Sequence, residues 1–184
     1  MAEEKDELRS RYRRARKDKF VPATYSLLLS TPEITSAKTV ASYVSYGDEP
    51  TTQELNQSLL ARGITLLLPR VSGSELSWVQ WFGNDDALEK RANILEPIGP
   101  SISDLLGIDV VIVPALQIDR NGFRLGQGGG FYDRALPMMS GWKVGLVHSA
   151  EITSELLPRE VHDVQLDAAA TPEIVVRFSN KSSE

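Results

Sequence analysis

The chain of 184 residues contains no cysteine and only two histidines. The absence of cysteine excludes disulfides, zinc–thiolate sites and thiol catalysis. No apolar run approaches the roughly twenty residues that a membrane-spanning helix needs, so the sequence predicts no such helix. The chain is charged from Glu3 onward and shows no apolar signal segment there, which favours a cytoplasmic protein.

Acidic residues outnumber basic ones, and the formal net charge is −5. This balance argues against nucleic-acid binding by the whole surface. The hydrophobic fraction is 41%, and a chain of this length can bury a full core as one domain. No internal repeat or linker divides it. We expect a single domain over residues 1–178, a polar tail at 179–184, and a monomer or weak homodimer.

Basic residues are concentrated near the start, where eight of the 20 lysines and arginines lie between Lys5 and Lys19. Leu8, Tyr12 and Ala15 recur there at helical spacing, which predicts an amphipathic helix with a basic, exposed side. A solvated helix face is the simpler interpretation of most of these charges. An RNA contact is the alternative, although the segment has a single aromatic residue and no stacking array.

Helix and strand signals alternate along the rest of the chain, which predicts an α/β sandwich with a mostly parallel sheet. Thr51 and Glu54 form a capping-box pattern that opens a helix through Arg62. An apolar run at 64–68 predicts a buried strand that Pro69 stops. Further strands are expected at 39–46, 76–81, 109–114, 143–147 and 173–178. A short helix is expected at 22–30, the opening of another helix at 131–136, and a loop at 91–100.

Five of the 13 glycines fall within residues 122–130, shortly after the apolar run at 109–114. Glycine permits positive φ and close approach of the backbone to a ligand, and the first N–H groups of a helix have no partner. A strand, a glycine loop and a helix that opens at Phe131 together predict an anion site. Arg124 and Arg134 flank the loop. Asp133 adds a carboxylate that suits Mg²⁺ beside phosphate, so the pattern favours a nucleotide phosphate held with a metal.

A glycine cluster can also be a flexible turn, and two familiar nucleotide loops do not fit. A Walker loop ends in Gly-Lys-Ser/Thr, whereas Gly130 is followed by Phe131 and Tyr132. A dinucleotide fingerprint that starts at Gly126 requires glycine or alanine where Phe131 stands. The loop therefore predicts a phosphate site of another type.

Six segments of the chain match one family pattern, in order and over nearly the whole length. These are residues 5–9, 43–51, 68–71, 96–97, 114–134 and 157–167. The pattern resembles the 5-formyltetrahydrofolate cyclo-ligase family, also called 5,10-methenyltetrahydrofolate synthetases. The resemblance implies a single-domain, Rossmann-like α/β/α sandwich of three layers. Its most specific motifs are Arg124-Leu125-Gly126, Gly128, Gly130 and Tyr132-Asp133-Arg134 in the loop, and Pro158, Glu160 and His162-Asp163 further on.

The resemblance implies ATP-dependent cyclisation of 5-formyltetrahydrofolate to 5,10-methenyltetrahydrofolate, with release of ADP and phosphate. A formyl oxygen is a poor leaving group, and transfer of the γ-phosphoryl group onto it lets N10 attack the activated carbon. In such transfers the protein mainly positions the reactants and neutralises charge. ATP as co-substrate, Mg²⁺ and a reduced folate are the implied ligands, and no nucleic-acid or membrane partner is expected.

The resemblance also implies roles for individual side chains on the nucleotide side. Arg124, Tyr132 and Asp133 are the expected catalytic residues. Asp133 and Asp163 are the expected Mg²⁺ ligands. The expected ATP-binding residues are Lys5, Arg9, Arg124, Leu125, Gly126, Gln127, Gly128, Gly129, Gly130, Phe131 and Tyr132.

On the folate side, the expected substrate-binding residues are Val44, Glu49, Gly128 and Tyr132. Glu49 can accept paired hydrogen bonds from the N–H groups of a pterin. Its simpler interpretation is a loop charge before a helix, where the dipole favours it. The family resemblance favours pterin binding by Glu49 over this simpler interpretation.

Several positions depart from the family pattern or have two interpretations. His148 and Glu151 stand where the family usually has an aromatic residue and glutamine, and Gly129 where some members carry lysine. These departures concern the shape of the pocket. His162 either orients Asp163 or lies on the surface.

Two other functions compete with cyclisation. A non-catalytic nucleotide-binding or RNA-associated relative would keep the fold but lose one of five charged residues, and all five are present: Lys5, Arg9, Arg124, Asp133 and Asp163. A phosphosugar isomerase of similar fold would bind a substrate phosphate without ATP or metal. That function leaves the Lys5/Arg9 and Asp133/Asp163 pairs unexplained.

Overall fold

The computed structural model describes residues 2–179, so most of the predicted tail, residues 180–184, lies outside the described residues. The α-helices are α1 (Ala2–Lys19), α2 (Ser26–Leu29), α3 (Pro32–Ser36), α4 (Gln53–Ala61) and α5 (Phe131–Ala135). The strands are β1 (Thr39–Ala41), β2 (Thr65–Ser72), β3 (Glu75–Trp81), β4 (Leu88–Arg91), β5 (Ile94–Pro97), β6 (Ser101–Ile102), β7 (Val110–Pro114), β8 (Gln117–Asp119), β9 (Arg124–Leu125), β10 (Trp142–Leu146), β11 (Ile152–Thr153), β12 (Ala168–Ala170) and β13 (Val175–Arg177). Within this range, none of the helices combines the length and apolar character that crossing a membrane requires.

One eight-stranded sheet organises the fold, in the order β13-β12-β10-β7-β1-β2-β3-β6. The five strands from β12 to β2 pair in parallel. The strands β13, β3 and β6 add antiparallel pairs at the two edges. The predicted α/β class with a mostly parallel sheet is confirmed.

Alternating side chains along the parallel strands feed two cores, one on each face of the sheet. In β7, Val110 lies in the core that also contains Leu28 of α2 and Leu59 of α4. The next residue, Val111, lies in the opposite core with Leu136, which follows α5. Helical elements therefore pack on both faces of a buried sheet, as the apolar runs predict.

Pro69 was predicted to end its strand, and this prediction is wrong. The strand β2 continues to Ser72, and Pro69 pairs with Trp78 of β3. On the other side of β2, the pairing with β1 ends where Ala41 meets Leu67. Beyond that point one edge of β2 is free of β1, and proline is tolerated where no neighbouring strand requires its missing N–H.

The prediction of a loop at 91–100 is also wrong, because these residues contain most of a β-hairpin. The strands β4 and β5 form a separate two-stranded sheet. Its turn includes Ala92, whose φ is 53°. Alanine and asparagine stand at this turn instead of the glycine pairs that signal a tight hairpin, so the sequence pattern concealed it.

The start of α4 differs from the predicted capping box of Thr51 and Glu54. Thr52 is the N-cap, and its side chain forms no capping hydrogen bond. The Thr52 hydroxyl donates to the Tyr43 carbonyl at 2.7 Å and accepts from the Ser45 N–H at 2.9 Å. It therefore fastens the chain after β1 to the start of α4.

Three other predicted elements have different bounds. The strand predicted at 39–46 is only the three residues of β1, and the last strand is shortened to β13. The helix predicted at 22–30 is reduced to α2, and α3 follows it without having been predicted. Hydrogen bonds with side chains, such as those of Thr52, replace strand pairing after β1.

Candidate active site

A cavity of about 350 Å³ lies where the carboxyl ends of β1, β2 and β7 meet the glycine loop. Ligands of open α/β sheets bind at this edge, and the volume is within the range of small-molecule sites. Every residue predicted to bind ATP, folate or metal lines it. These residues are Lys5, Arg9, Val44, Glu49, Arg124, Leu125, Gly126, Gln127, Gly128, Gly129, Gly130, Phe131, Tyr132, Asp133 and Asp163.

The glycine loop joins β9 to α5 and has the backbone geometry that glycine permits. Gly128 has φ 107°, and Gly130, the residue before α5, has φ 68°. Both values lie where a side chain is strongly disfavoured. A Cβ added at Gly128 would lie 3.4 Å from the guanidinium carbon of Arg9. The loop therefore passes close to α1 as well as lining the cavity.

Arg124 and Asp133 form an ion pair across the loop, with side-chain exposures of 5% and 22%. The guanidinium carbon of Arg124 lies 5.9 Å from the ring centroid of Tyr132. Arg134 flanks the loop in sequence but donates to the backbone carbonyl of Gly129 and stacks on Phe131. Arg124 is thus the arginine that the loop directs into the cavity.

Lys5 reaches the cavity from α1 and binds two carboxylates. Its Nζ lies 2.8 Å from Glu160 Oε2 and 2.8 Å from Asp163 Oδ2. Burial by itself lowers the pKa of Lys5, but the hydrogen bonds and charges of both carboxylates outweigh it and raise the pKa. Burial likewise acts to raise the pKa of Asp163, and the opposing contacts with Lys5 and the Glu160 N–H lower it overall. This end of the cavity is charged on both sides at neutral pH.

Glu160, His162 and Asp163 offer three ligand atoms within 4.8 Å of one another. Asp133, the other predicted Mg²⁺ ligand, is not in this group and contacts Arg124 instead. The side chain of His162 is 65% exposed, and its Nε2 lies 3.5 Å from Glu160. Asp163 is oriented by the backbone N–H of Glu160 at 2.8 Å and by Lys5. Carboxylate oxygens are what Mg²⁺ prefers, so Glu160 and Asp163 fit such an ion.

Glu49 is buried, with 8% of its surface exposed. Its Oε2 accepts a hydrogen bond of 3.1 Å from the backbone N–H of Tyr46. Burial raises the pKa of Glu49 to about 7, although the Tyr46 hydrogen bond and the charge of Arg16 oppose this shift. A buried carboxylate that titrates near neutrality at the wall of a cavity marks a functional candidate.

Four side chains of the cavity wall carry a buried polar atom with no hydrogen-bond partner among residues 2–179. These atoms are Tyr43 OH, Glu96 Oε2, Arg124 Nε and Tyr132 OH. Such atoms are rare in native proteins and cost about 1–3 kcal/mol each. The cavity is therefore arranged to receive a polar ligand. No role is predicted for Tyr43 or Glu96 from the sequence, because burial without a partner has no signature in a single sequence.

Helix α1 lies against the glycine loop through arginine side chains. Arg9 Nε donates to the Gly126 carbonyl at 3.1 Å. Arg13 donates to the carbonyl of Gln127 at 2.7 Å and to its side-chain oxygen at 2.8 Å. These contacts hold two successive loop residues to one face of the helix.

The prediction that the basic residues of α1 lie on an exposed side is wrong in part. Arg16 is 6% exposed and so is Lys5, since both lie on the face that meets the rest of the protein. Arg16 binds Glu151 through two nitrogens at 2.8 Å and 2.7 Å and donates to the Ala115 carbonyl at 2.6 Å. Strong, geometrically fixed pairing is what allows a guanidinium to be buried.

Glu151 and His148, which depart from the family pattern, do not line the cavity. The backbone N–H of His148 donates to Glu151 Oε2 at 2.8 Å. The His148 ring lies edge-on to Phe20, with centroids 5.5 Å apart, and its Nε2 is 2.8 Å from the carbonyl oxygen of Asp48. Glu151 therefore holds α1 through Arg16, and His148 contacts the residue after α1 and the segment before Glu49. Gly129, by contrast, is part of the cavity wall itself.

The fold and the site define an α/β protein whose sheet edge carries one cavity, lined by a glycine loop and by the buried carboxylate of Glu49. The profile of the 5-formyltetrahydrofolate cyclo-ligase family matches residues 2–172. The chain therefore belongs to the 5-formyltetrahydrofolate cyclo-ligase family, as its motifs predict. This is a family of ATP-dependent ligases that convert 5-formyltetrahydrofolate to 5,10-methenyltetrahydrofolate.

Individual relatives agree with this assignment. A 5-formyltetrahydrofolate cyclo-ligase of Escherichia coli is 34% identical over 154 residues, which cover 79% of this chain and 84% of the relative. The enzyme of that name from Mycolicibacterium smegmatis is 35% identical over 147 residues, or 74% and 75% of the two chains. The solution structure of Aquifex aeolicus 5,10-methenyltetrahydrofolate synthetase is 30% identical and superposes with a TM-score of 0.80, over 98% of this chain and 95% of that one.

Proposed function

We propose that this chain closes the ring of 5-formyltetrahydrofolate with ATP and releases ADP and phosphate. The observation that carries the proposal is that one cavity joins two unlike surfaces. One surface is the glycine loop with Arg124 and the α1 side chains, which suits phosphates. The other contains the buried Glu49 and the hydroxyls of Tyr43 and Tyr132, which have no hydrogen-bond partner in the described chain; this surface suits a neutral ring with N–H and C=O groups.

The proposed reaction has two bond exchanges. The formyl oxygen attacks the γ-phosphorus, and the bond from that phosphorus to the ADP oxygen breaks. N10 then attacks the formyl carbon, the carbon–oxygen bond to phosphate breaks, and the released phosphate takes up the N10 proton. No covalent intermediate with a side chain is needed, so the protein acts by positioning and by neutralising charge.

On the phosphate side, Arg124 is the principal catalytic cation of the proposal. Its side chain is buried, its Nε has no partner within the described chain, and its neighbouring Nη2 is held by Asp133. Lys5 and Arg9 supply further positive charge from α1. The remaining phosphate contacts come from the loop, at Leu125, Gly126, Gln127, Gly128, Gly129, Gly130, Phe131 and Tyr132.

Mg²⁺ is the proposed metal, with Asp133 and Asp163 as its protein ligands and Glu160 beside them. When bound, it neutralises negative charge on the phosphates and fixes their arrangement. Lys5 balances Asp163, and Arg124 balances Asp133, so neither carboxylate is left unpaired. Glu160 is included as a further candidate ligand because its carboxylate and that of Asp163 both bind Lys5.

On the folate side, Glu49 is the proposed acceptor of pterin N–H groups, with Val44, Gly128 and Tyr132 as further contacts. The raised pKa of Glu49 reflects burial, and a ligand that donates hydrogen bonds favours its charged form. The buried Tyr132 hydroxyl adds a donor at the boundary between the two surfaces. The proposal includes a cytoplasmic monomer or weak homodimer that acts on small molecules, without a nucleic-acid or membrane partner.

An absorbance assay for the methenyl product tests the proposal in three arms: complete mixture, mixture without ATP, and mixture with excess chelator. We expect product only in the complete mixture. Product without ATP would contradict the phosphoryl transfer, and full activity after exhaustive chelation would contradict the metal. ATP binding without product formation would support the alternative function, a non-catalytic nucleotide-binding relative.

A further inference from the structure

The β4–β5 hairpin carries a buried carboxylate that the roles described so far do not use. Glu96 lies on β5, and its side chain is 5% exposed. Its Oε1 accepts a hydrogen bond of 2.8 Å from the backbone N–H of Val71. Its Oε2 is buried and has no hydrogen-bond partner in the described part of the chain. One oxygen is therefore held in place while the other is left free.

The nearest cation does not satisfy the free oxygen. Arg91 Nε lies 3.6 Å from Glu96 Oε2, which is too long for a hydrogen bond. The side chain of Arg91 is 57% exposed and donates to Glu89 at 3.2 Å, so water screens its charge. A buried carboxylate oxygen without a donor is costly, and a bound ligand is one means of supplying that donor.

The elements around Glu96 contribute the apolar part of the cavity wall. Val71 of β2, which holds Glu96, pairs with Leu76 of β3, and both line the cavity. Ile94 and Leu95 precede Glu96 on β5 and line it as well. An apolar wall with one fixed acceptor suits a flat ring that carries N–H groups, whereas a carboxylate would repel phosphate.

We propose that Glu96 is a substrate-binding residue whose Oε2 accepts a hydrogen bond from an N–H group of the bound reduced folate. The inference rests on the proposed function, because a reduced pteridine carries N–H donors on more than one edge and Glu49 pairs with only part of them. Glu96 and Glu49 then hold the folate from two separate elements, the hairpin and the segment after β1.

The variant Glu96→Gln tests this role. Glutamine keeps the size of the side chain and an oxygen for Val71, but its amide group sets N–H against the N–H of the ligand. We expect the KM for 5-formyltetrahydrofolate to rise by about tenfold or more, while the KM for ATP stays within about twofold. Glu89→Gln is the matched control, since Glu89 is the cross-strand partner of Glu96 and is 56% exposed. It should change neither value.

A second variant, Arg91→Gln, distinguishes ligand binding from a structural ion pair. If the purpose of Glu96 were to pair with Arg91, this variant would reproduce the effect of Glu96→Gln. We expect instead that it leaves the KM for folate within about twofold of the wild type. Equal effects of the two variants, an unchanged KM for folate in Glu96→Gln, or a rise in the KM for ATP of the same size would each overturn the proposal.

Hydrogen exchange of the wild-type protein gives a test that does not depend on the folding of a variant. Saturating 5-formyltetrahydrofolate should slow exchange at residues 88–97, and a non-hydrolysable ATP analogue alone should not. Lack of protection by folate would overturn the role of the hairpin. Failure of the proposed function looks different, because the wild type would then form no methenyl product with ATP.

Discussion

At the scale of single residues, Glu49 and Arg124 line one cavity but differ in how their charges are balanced. Among residues 2–179, Arg124 has a carboxylate partner in Asp133, whereas the Glu49 carboxylate accepts a hydrogen bond only from the backbone N–H of Tyr46. In the proposal, N–H groups of the folate donate hydrogen bonds to Glu49, and phosphate accepts hydrogen bonds from Arg124. Substitutions at the two positions should therefore separate the two substrates.

Glu49→Gln should weaken folate binding while leaving ATP binding almost unchanged. The amide retains the size of the side chain but leaves a pterin donor poorly paired, a loss of roughly 1–3 kcal/mol. Arg124→Ala should do the reverse. Calorimetric titration of each variant with each ligand measures the effect, and equal losses of ATP affinity in both would assign Glu49 to the nucleotide side.

The raised pKa of Glu49 also predicts how stability depends on pH. In the unfolded chain this carboxyl ionises near 4.5, whereas the folded protein retains the proton up to about pH 7. The folded state binds more protons between these values, so Glu49 destabilises the free protein increasingly as pH rises across that window, by roughly 3 kcal/mol at most.

Urea denaturation at pH 5 and at pH 8 measures this contribution. Relative to the wild type, Glu49→Gln should gain stability between the two pH values, because glutamine does not ionise. Glu54→Gln, at an exposed position on α4, is the control and should show no such gain. A pH dependence identical in wild type and Glu49→Gln would mean that Glu49 titrates normally.

At the scale of elements, α1 is attached to the fold mainly by charged side chains. Its apolar positions Leu8, Tyr12 and Ala15 are only partly buried, whereas Lys5 and Arg16 are buried and paired. Helices usually bind through an apolar stripe. Here the docking face is polar, and the same contacts place Lys5 and Arg9 at the cavity.

Arg16→Met should destabilise the protein by about 3–5 kcal/mol, because it leaves the Glu151 carboxylate largely buried without its partner. The double variant Arg16→Met with Glu151→Leu should recover much of this loss, since it removes both charges. Arg14→Met, at an exposed position of α1, serves as the control. Chemical denaturation measures all three, and a double variant no more stable than Arg16→Met would contradict the coupling of the pair.

The same substitution should have different effects on ATP binding at two glycines with positive φ, one inside the glycine loop and one outside it. Gly128→Val should abolish ATP binding with little loss of fold, because a β-branched side chain resists φ 107° and obstructs approach to the backbone. At Gly73 φ is 63°, and an added Cβ meets nothing within 4 Å. Gly73→Val should therefore carry only the backbone strain and retain ATP affinity; unchanged affinity in Gly128→Val would mean that the loop is only a turn.

At the scale of the whole molecule, the sequence predicts what depends on local pattern. The parallel sheet follows from apolar runs such as 109–114, and the cavity follows from the glycine loop and the family motifs. The hairpin at β4 and β5 has no glycine at its turn and no periodic contrast, so pattern could not locate it. The burial of Arg16 could not be predicted either, since it depends on Glu151, which lies 135 residues away in the chain.

That separation has a consequence for the order of folding. The contacts of α1 with Asp163 and Glu151 span 158 and 135 residues, among the longest loops that the chain closes. During synthesis α1 cannot find these partners until residues 151–163 have emerged. The six sheet strands that precede residue 151, from β10 to β6 in the order of the sheet, can assemble before that moment, but the end of the cavity that contains Lys5 cannot. Acquisition of ATP binding should thus be a late event in folding, after the slow closure of long-range contacts.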